Sequence, residues 1–284
     1  MYIFLNGQVI KKEDAMISPF EHGFLYGLGL FETFRVYNGH PFLLDDHLAR
    51  LNSGLEILNI KKQLTRDDVV SYLGDLLGKN GYDNAYIRLN VSAGNGEIGL
   101  QTAEYVEPNL IIFSKPLPEV VSMSEKKAKL LKLNRNTPEG DERLKSHHYL
   151  NNILAKREIG DDQSVEGIFL TREGFIAEGV VSNIFWTKGN TLYTPSIDTG
   201  ILNGITRRFI LKLGKKNGFE IKEGLFSTEG FDADEIFVTN SIQEIVPVID
   251  FNGIKFPGNK GEVVQRLYHQ YRHYSGSLWS RHQI

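Results

Sequence analysis

No cysteine occurs in the 284-residue chain. That excludes disulfides, thiolate metal sites and cysteine nucleophiles. Excess positive charge is also missing: 32 Lys and Arg stand against 35 Asp and Glu, a net charge of −3. A nucleic-acid partner, which needs a broad basic surface, is not expected. An anionic small molecule would need its counter-charges gathered locally. Long apolar runs are absent as well. No stretch approaches the roughly 20 residues that cross a bilayer. MYIFLNGQVIKKED, at the start, lacks the charged start followed by a long apolar run that marks a signal peptide. The expectation is a soluble, cytoplasmic protein with no membrane partner. There are 8 histidines, but none forms an HExxH pair. His147 and His148 are adjacent and would diverge on a helix, so no metal is expected. YGLGLFETF, residues 26–34, lacks the third glycine of a dinucleotide fingerprint, and no GxSxG elbow occurs.

What is present is an ordinary globular balance, 41% hydrophobic and 24% charged, enough for one large domain or two modest ones. YIFLNGQVI and ETFRVYNGHPFLL read as strand pairs around Asn6-Gly7 and Asn38-Gly39, strong hairpin signals. DDHLARLNSGLEIL spaces Leu48, Leu51, Leu55 and Leu58 as a helix face, with Asp45 or Asp46 as the cap. TRDDVVSYLGDLLGKNG opens on a capping-box pattern, Thr65 and Asp68. AYIRLNVSAG and NLIIFSKPLP read as strands. KPLPEVV, residues 115–121, carries two prolines between apolar runs and is the candidate boundary. Beyond it, HHYLNNILAKREIG reads as a helix with Leu150, Ile153 and Leu154 on one face. EGIFLTREGFIAEG and NIFWTKGNTLYTP read as strand pairs. GITRRFILKLGKKNG is a helix with Ile205, Phe209, Ile210 and Leu213 inward and Gly218 as its cap. EIFVTNS is a late strand. Internal repeats and low-complexity tracts are absent, and YSGSLWSRHQI near the end carries no clear signal. Strands alternate with hairpins more than with helices. The expectation is α+β with a strongly curved sheet and not a doubly wound parallel sheet.

Each short stretch that could carry chemistry has a plain reading beside a functional one. RLKSHHYLNN, residues 143–152, sets Lys145 where a helical pattern begins. It is either a solvated helix start or a reactive amine. GILNGITRRF, residues 200–209, is an ordinary helix start or a phosphate cradle, with Gly204 allowing close approach and Thr206 adding a hydroxyl. Glu178, in AEGVVSNIF, needs a partner in its apolar surroundings. That partner is a nearby Arg or Lys, or a ring nitrogen that must stay protonated. TNSIQEIVPV ends a strand with Thr239, Asn240 and Ser241. Arg50 lies off the leucine stripe, where an arginine is usually solvated. Weak singly, these are together the parts that pyridoxal phosphate needs: a Schiff-base lysine, a carboxylate for the pyridine nitrogen, and Arg, Thr and Ser with a helix start for the phosphate.

HGFLYGLGLFETFRV, HLARL, RLKSHHYLNNILAKRE, EGVVSNIF, GILNGITRR and NSIQEI occur in order over nearly the whole chain. The sequence thereby resembles the fold type IV pyridoxal-phosphate enzymes, which include branched-chain and D-amino acid aminotransferases and 4-amino-4-deoxychorismate lyase. Within them, NTPEGDERLKSHHYLNNILAKREI, SPFEHGFLYGLGLFETFRV and TPSIDTGILNGITRRFI are most similar to the bacterial lyases. The resemblance implies a small N-terminal α+β domain over residues 1–116. It implies a larger cofactor-binding domain with a barrel-like sheet over residues 117–284, as in D-amino acid aminotransferase. It implies that Lys145 bears the cofactor, that Glu178 holds the pyridine nitrogen, and that Arg50, Ile205, Thr206 and Ser241 bind the phosphate. Tyr149 would lie near the 3′ oxygen, Ser182 and Asn183 would complete the cofactor site, and Thr33 would line the substrate side. Arg88, Arg143, His22 and His147 are candidates for substrate carboxylates. A homodimer with its site between domains is implied. The implied activity is conversion of aminodeoxychorismate to p-aminobenzoate and pyruvate. The rivals are a class IV aminotransferase using 2-oxoglutarate and a binding module without cofactor.

Overall fold

The computed structural model describes residues 1–118 and 122–284. Residues 119–121, the end of the expected boundary segment, lie outside the described residues. The chain divides into two compact units. The first is Met1–Glu119 with Leu144–His148 and Ser275–Ile284; the second is Val120–Arg143 with Tyr149–Tyr274. Among the described residues no helix is long and apolar enough to cross a membrane.

The first unit holds β1 (Tyr2–Leu5), β2 (Gln8–Lys11), α1 (His22–Tyr26), β3 (Gly29–Tyr37), β4 (His40–Pro41), α2 (Leu44–Ile57), α3 (Arg66–Asn80), β5 (Ala85–Ser92) and β6 (Asn109–Pro116). Both expected hairpins form, and every pairing in the sheet order β2-β1-β6-β5-β3-β4 is antiparallel. Alternation along β3 sends Leu30, Phe34 and Val36 into the core built with Leu48, Leu51 and Leu55 of α2. Phe31 and Thr33 therefore occupy the opposite face. The capping box of α3 forms as its sequence predicts, with the Thr65 side chain accepting from the Asp68 N–H. The start of α2 differs from expectation. Its N-cap is Leu43, at φ +55 and without a side-chain cap. Asp45 and Asp46 sit in the first turn instead, where the helix dipole favours them, and pair with Arg66 and Arg281.

The segment around Lys145 also departs from its sequence reading. It is extended and lies against β3. Phe31 N–H donates to the Lys145 carbonyl at 3.0 Å, and His147 N–H donates to the Gly29 carbonyl at 3.0 Å. The fit is close: a Cβ on Gly29 would lie 2.6 Å from the His147 ring. The lysine is thus carried on a strand-like segment, and the helix begins only at Leu150.

The second unit holds β7 (Lys126–Leu130), α4 (Leu150–Ile159), β8 (Val165–Leu170), β9 (Ile176–Gly179), β10 (Asn183–Lys188), β11 (Thr191–Pro195), α5 (Ile205–Lys216), β12 (Glu220–Gly224), β13 (Glu235–Asn240), β14 (Glu244–Phe251), β15 (Ile254–Lys255) and α6 (Glu262–Ser275). Its nine-stranded sheet runs β12-β11-β10-β13-β14-β7-β8-β9, with β15 beside β14. The sheet is mixed: β11/β12, β7/β14 and β7/β8 are parallel. It curls until β9, at one end of the path, also approaches β10 and β11. The fold is α+β with a barrel-like sheet, as the sequence indicated. Helix α5 buries Ile205, Phe209, Ile210 and Leu213, the expected stripe.

Helix α4 does not bury its expected face. Leu150, Ile153 and Leu154 are 68%, 47% and 40% exposed. The buried positions are Asn152 and Ala155. Asn152 Nδ2 donates to the Val180 carbonyl at 2.6 Å, so a polar contact sets the rotation of the helix and turns the leucines outward.

Candidate active site

In the first unit the chemistry gathers on the Phe31 ring. Lys145 is half-buried, and its Nζ lies 4.6 Å from the ring centroid. The Arg88 guanidinium lies 3.7 Å from the same centroid, and its Nε donates to Asn90 Oδ1 at 3.0 Å. The His147 ring stacks on Phe31 at 6.2 Å. Register places Thr33 directly opposite Arg88. Lys145, Thr33, Arg88 and His147 are thus brought together. Burial and then the Arg88 charge push His147 down to about 4, so it is neutral at pH 7. Its Nε2 is buried and has no hydrogen-bond partner among the described residues. His22 stands apart. It is fully buried, with Nδ1 on Tyr105 Oη at 2.8 Å and Nε2 on the Glu97 carbonyl at 2.9 Å, so both ring nitrogens are engaged.

Arg50 is not solvated. It forms a fork with Glu32, Nε to Oε1 at 2.7 Å and NH2 to Oε2 at 2.6 Å. His47 Nδ1 meets the same Oε2 at 2.6 Å. Burial works to raise the Glu32 pKa, but the Arg50 and His47 charges and hydrogen bonds win and hold it at about 2.

In the second unit Glu178 is 4% exposed and every oxygen is held. Oε1 accepts from Arg135 Nε at 2.8 Å, while Oε2 accepts from the Leu202 N–H at 3.0 Å and from Asn183 Nδ2 at 3.4 Å. Arg143 Nε lies 4.0 Å away and donates to the Gly200 carbonyl at 2.5 Å. Burial and the Arg135 charge push Arg143 down to about 10, which leaves it a cation at pH 7. The carboxylate therefore has the arginine partner of its plain reading. The same contacts fix both its oxygens in space.

Asn183 links this carboxylate to the start of α5. Its Nδ2 also donates to the Leu202 carbonyl at 2.9 Å. A Cβ on Gly204 would fall 2.2 Å from Asn183 Oδ1, so the glycine at the N-cap is required by the side chain packed on it. No side chain caps α5. Thr206, in its first turn, places Oγ1 3.2 Å from Ser241 Oγ. Thr239 Oγ1 is buried and has no partner among the described residues. Ile205, Thr206 and Ser241 are thus together. Ser182 donates from Oγ to Glu166 Oε1 at 2.9 Å. Tyr149 immediately precedes α4, and its carbonyl accepts from the Ile153 N–H.

Sequence reasoning did not single out Phe31, Glu32, His47 or Arg135. Glu32 could have been found by the argument used for Glu178, since LFETF sets a carboxylate among apolar strand residues. Arg135 offers no such local signal.

The Amino-transferase class IV family pattern matches residues 29–251. The chain is 48% identical over 269 residues to a protein of Bacillus subtilis (strain 168) named Aminodeoxychorismate lyase, covering 93% of this chain and 92% of that one. It is 28% identical over 262 residues to the D-alanine aminotransferase of Bacillus licheniformis, covering 89% of each. The structure of the branched-chain amino acid aminotransferase from Escherichia coli superposes with a TM-score of 0.85 at 30% identity, covering 97% of this chain and 94% of that one. A match over so much of the chain settles its kinship: the chain belongs to the amino-transferase class IV family.

Proposed function

We propose that the chain is a pyridoxal-phosphate-dependent lyase that converts 4-amino-4-deoxychorismate to p-aminobenzoate and pyruvate. The observation that carries this reading is the 48% identity, over 93% of the chain, to a protein named Aminodeoxychorismate lyase. The residues suit the cofactor. Glu178, a buried carboxylate fixed through both oxygens, would hold the protonated pyridine nitrogen. The uncapped start of α5 at Ile205 and Thr206, with the Ser241 hydroxyl beside it, offers donors suited to a phosphate dianion, to which Arg50 would add its guanidinium. Ser182 and Asn183 flank Glu178, Tyr149 would lie near the ring oxygen, and Lys145 would bind covalently.

When bound, pyridoxal phosphate supplies an electron sink for the charge that develops at the amine-bearing carbon of the substrate. The Lys145 Nζ takes the proton from that carbon. The carbon–oxygen bond to the enolpyruvyl group then breaks, and Lys145 or the Thr33 hydroxyl gives a proton to the departing group, which leaves as pyruvate. The remaining ring is aromatic, which drives the step forward. Arg88, on the Phe31 ring with Lys145, is assigned a substrate carboxylate, and neutral His147 a hydrogen bond beside it. Arg143 and His22, already engaged within their own units, are assigned support of the scaffold.

The test is direct. Purified protein with bound cofactor should release fluorescent p-aminobenzoate from aminodeoxychorismate, and its failure to do so would overturn the lyase reading. A second reading, a class IV aminotransferase, is favoured by the similarity to the D-alanine and branched-chain enzymes. That activity would release one equivalent of oxo acid when an amino donor is added alone. The lyase reading also places the product in folate biosynthesis and the protein in the cytoplasm as a homodimer. The outward apolar face of α4 supports a second copy as its cover.

A further inference from the structure

Glu32 and His47, buried around Arg50, have no role of their own in the reaction just described. Burying charges is costly unless their geometry is fixed and useful. Glu32 and His47 are each 1% exposed, and Glu32 lies in the middle of β3, facing α2. His47 and Arg50 are three residues apart on α2, so they share one helix face. Glu32 engages the Nε–NH2 edge of Arg50 bidentately, which fixes the plane of the guanidinium and turns the NH1 edge away from the carboxylate. His47 Nδ1 meets the Oε2 that Arg50 also holds, a third contact that restrains the carboxylate.

The position of the arginine is informative too. Gly54 is one helical turn beyond Arg50 on α2. A Cβ there would meet Leu30 at 2.5 Å and Leu144 at 3.5 Å. Arg50 therefore stands on the face of α2 against which the residue preceding Lys145 packs. A flexible surface arginine could bind a phosphate as a mobile charge. This one is presented rigidly from within the unit that carries the lysine.

We propose that Glu32 and His47 are positioning residues that aim the Arg50 guanidinium at the phosphate of the cofactor. The proposal rests on the reading of Arg50 as a phosphate ligand. Because Glu32 stays ionised, its charge offsets that of Arg50, so the fork contributes direction more than net attraction.

The experiment compares equilibrium binding of pyridoxal phosphate and of pyridoxal, which lacks the phosphate, to cofactor-free protein. It also measures the rise in melting temperature that inorganic phosphate gives that protein. Arg50→Met is the benchmark and should cut the preference for the phosphorylated ligand at least about tenfold, the loss expected for a charge-assisted fork. Glu32→Gln should lower the same preference by about tenfold through lost aim, leave pyridoxal affinity within about twofold, and abolish stabilisation by phosphate. Combined with Arg50→Met, Glu32→Gln should have no further effect on the preference. If Arg50→Met lowers the preference and Glu32→Gln does not, the positioning role is overturned. If Arg50→Met leaves the preference unchanged, the phosphate reading of Arg50 itself fails. Should Glu32→Gln not fold, Arg50→Lys decides: lysine supplies charge without the fork. Full retention of the preference in Arg50→Lys overturns the proposal, and loss close to that of Arg50→Met upholds it.

Discussion

At the scale of single residues, the proposed function makes separate demands on Lys145 and Glu178. Lys145 is proposed as the reactive amine. Lys145→Ala should remove the visible absorbance band of the covalently held cofactor and lower turnover by roughly three orders of magnitude or more, as losses of covalent catalysts do. An unaltered spectrum would end the assignment. Glu178 carries a second, separable burden. Glu178→Gln should keep bound cofactor yet slow turnover, because an amide does not hold a proton on the ring nitrogen as a carboxylate does. It should also destabilise the cofactor-free protein by about 3–5 kcal/mol, the usual cost of leaving a buried cation unpaired, here Arg135. Urea unfolding reads the second effect and turnover the first. Normal turnover would count against the pyridinium role. Glu178 was legible as a carboxylate in need of a partner because its neighbours are apolar. Arg135 was not, since it meets Glu178 only through folding, across a separation of 43 residues.

At the scale of elements, local chemistry was readable and tertiary rotation was not. The hairpins at Asn6-Gly7 and Asn38-Gly39, the Thr65–Asp68 capping box and the buried stripe of α5 each follow from contacts within a few residues. The extended segment around Lys145 exists only because β3 offers it backbone partners, so its sequence alone suggested a helix start. Likewise α4 carries a convincing apolar stripe, but Asn152 rotates that stripe outward. In the proposed homodimer a second copy covers it. Ile153→Glu should then place an uncompensated charge in the contact and weaken dimerisation roughly a hundredfold or more, while the chain stays folded. Sedimentation across a concentration series checks this. A variant as dimeric as its parent would show that α4 faces water.

At the scale of the whole molecule, the division of buried charge predicts how the protein fails in acid. The first unit holds Glu32, His47 and His147, whose shifts all point the same way. Burial lowers both histidines, His147 to about 4. As pH falls below about 6.5, the unfolded chain takes up a proton at His147 that the folded chain refuses until about pH 4, so stability drops across that window, and His47 acts in the same direction. Glu32, held at about 2 against an ordinary 4.5, then loses its contribution as pH falls from about 4.5 to 2. Each group adds at most about 1.4 kcal/mol per pH unit, less for His147 because its ring is partly open to solvent. In the second unit the carboxylates held low, Asp162, Asp234 and Asp250, lie at its surface, where ion pairs count for little. Hydrogen exchange at pH 7 and pH 5 should therefore show protection lost first in the sheet β1–β6, with β10, β13 and β14 retained. His147→Gln should flatten the stability slope between pH 6.5 and 4. An unchanged slope, or earlier loss in the second unit, would mean that the buried groups on β3, α2 and the Lys145 segment do not set the acid limit.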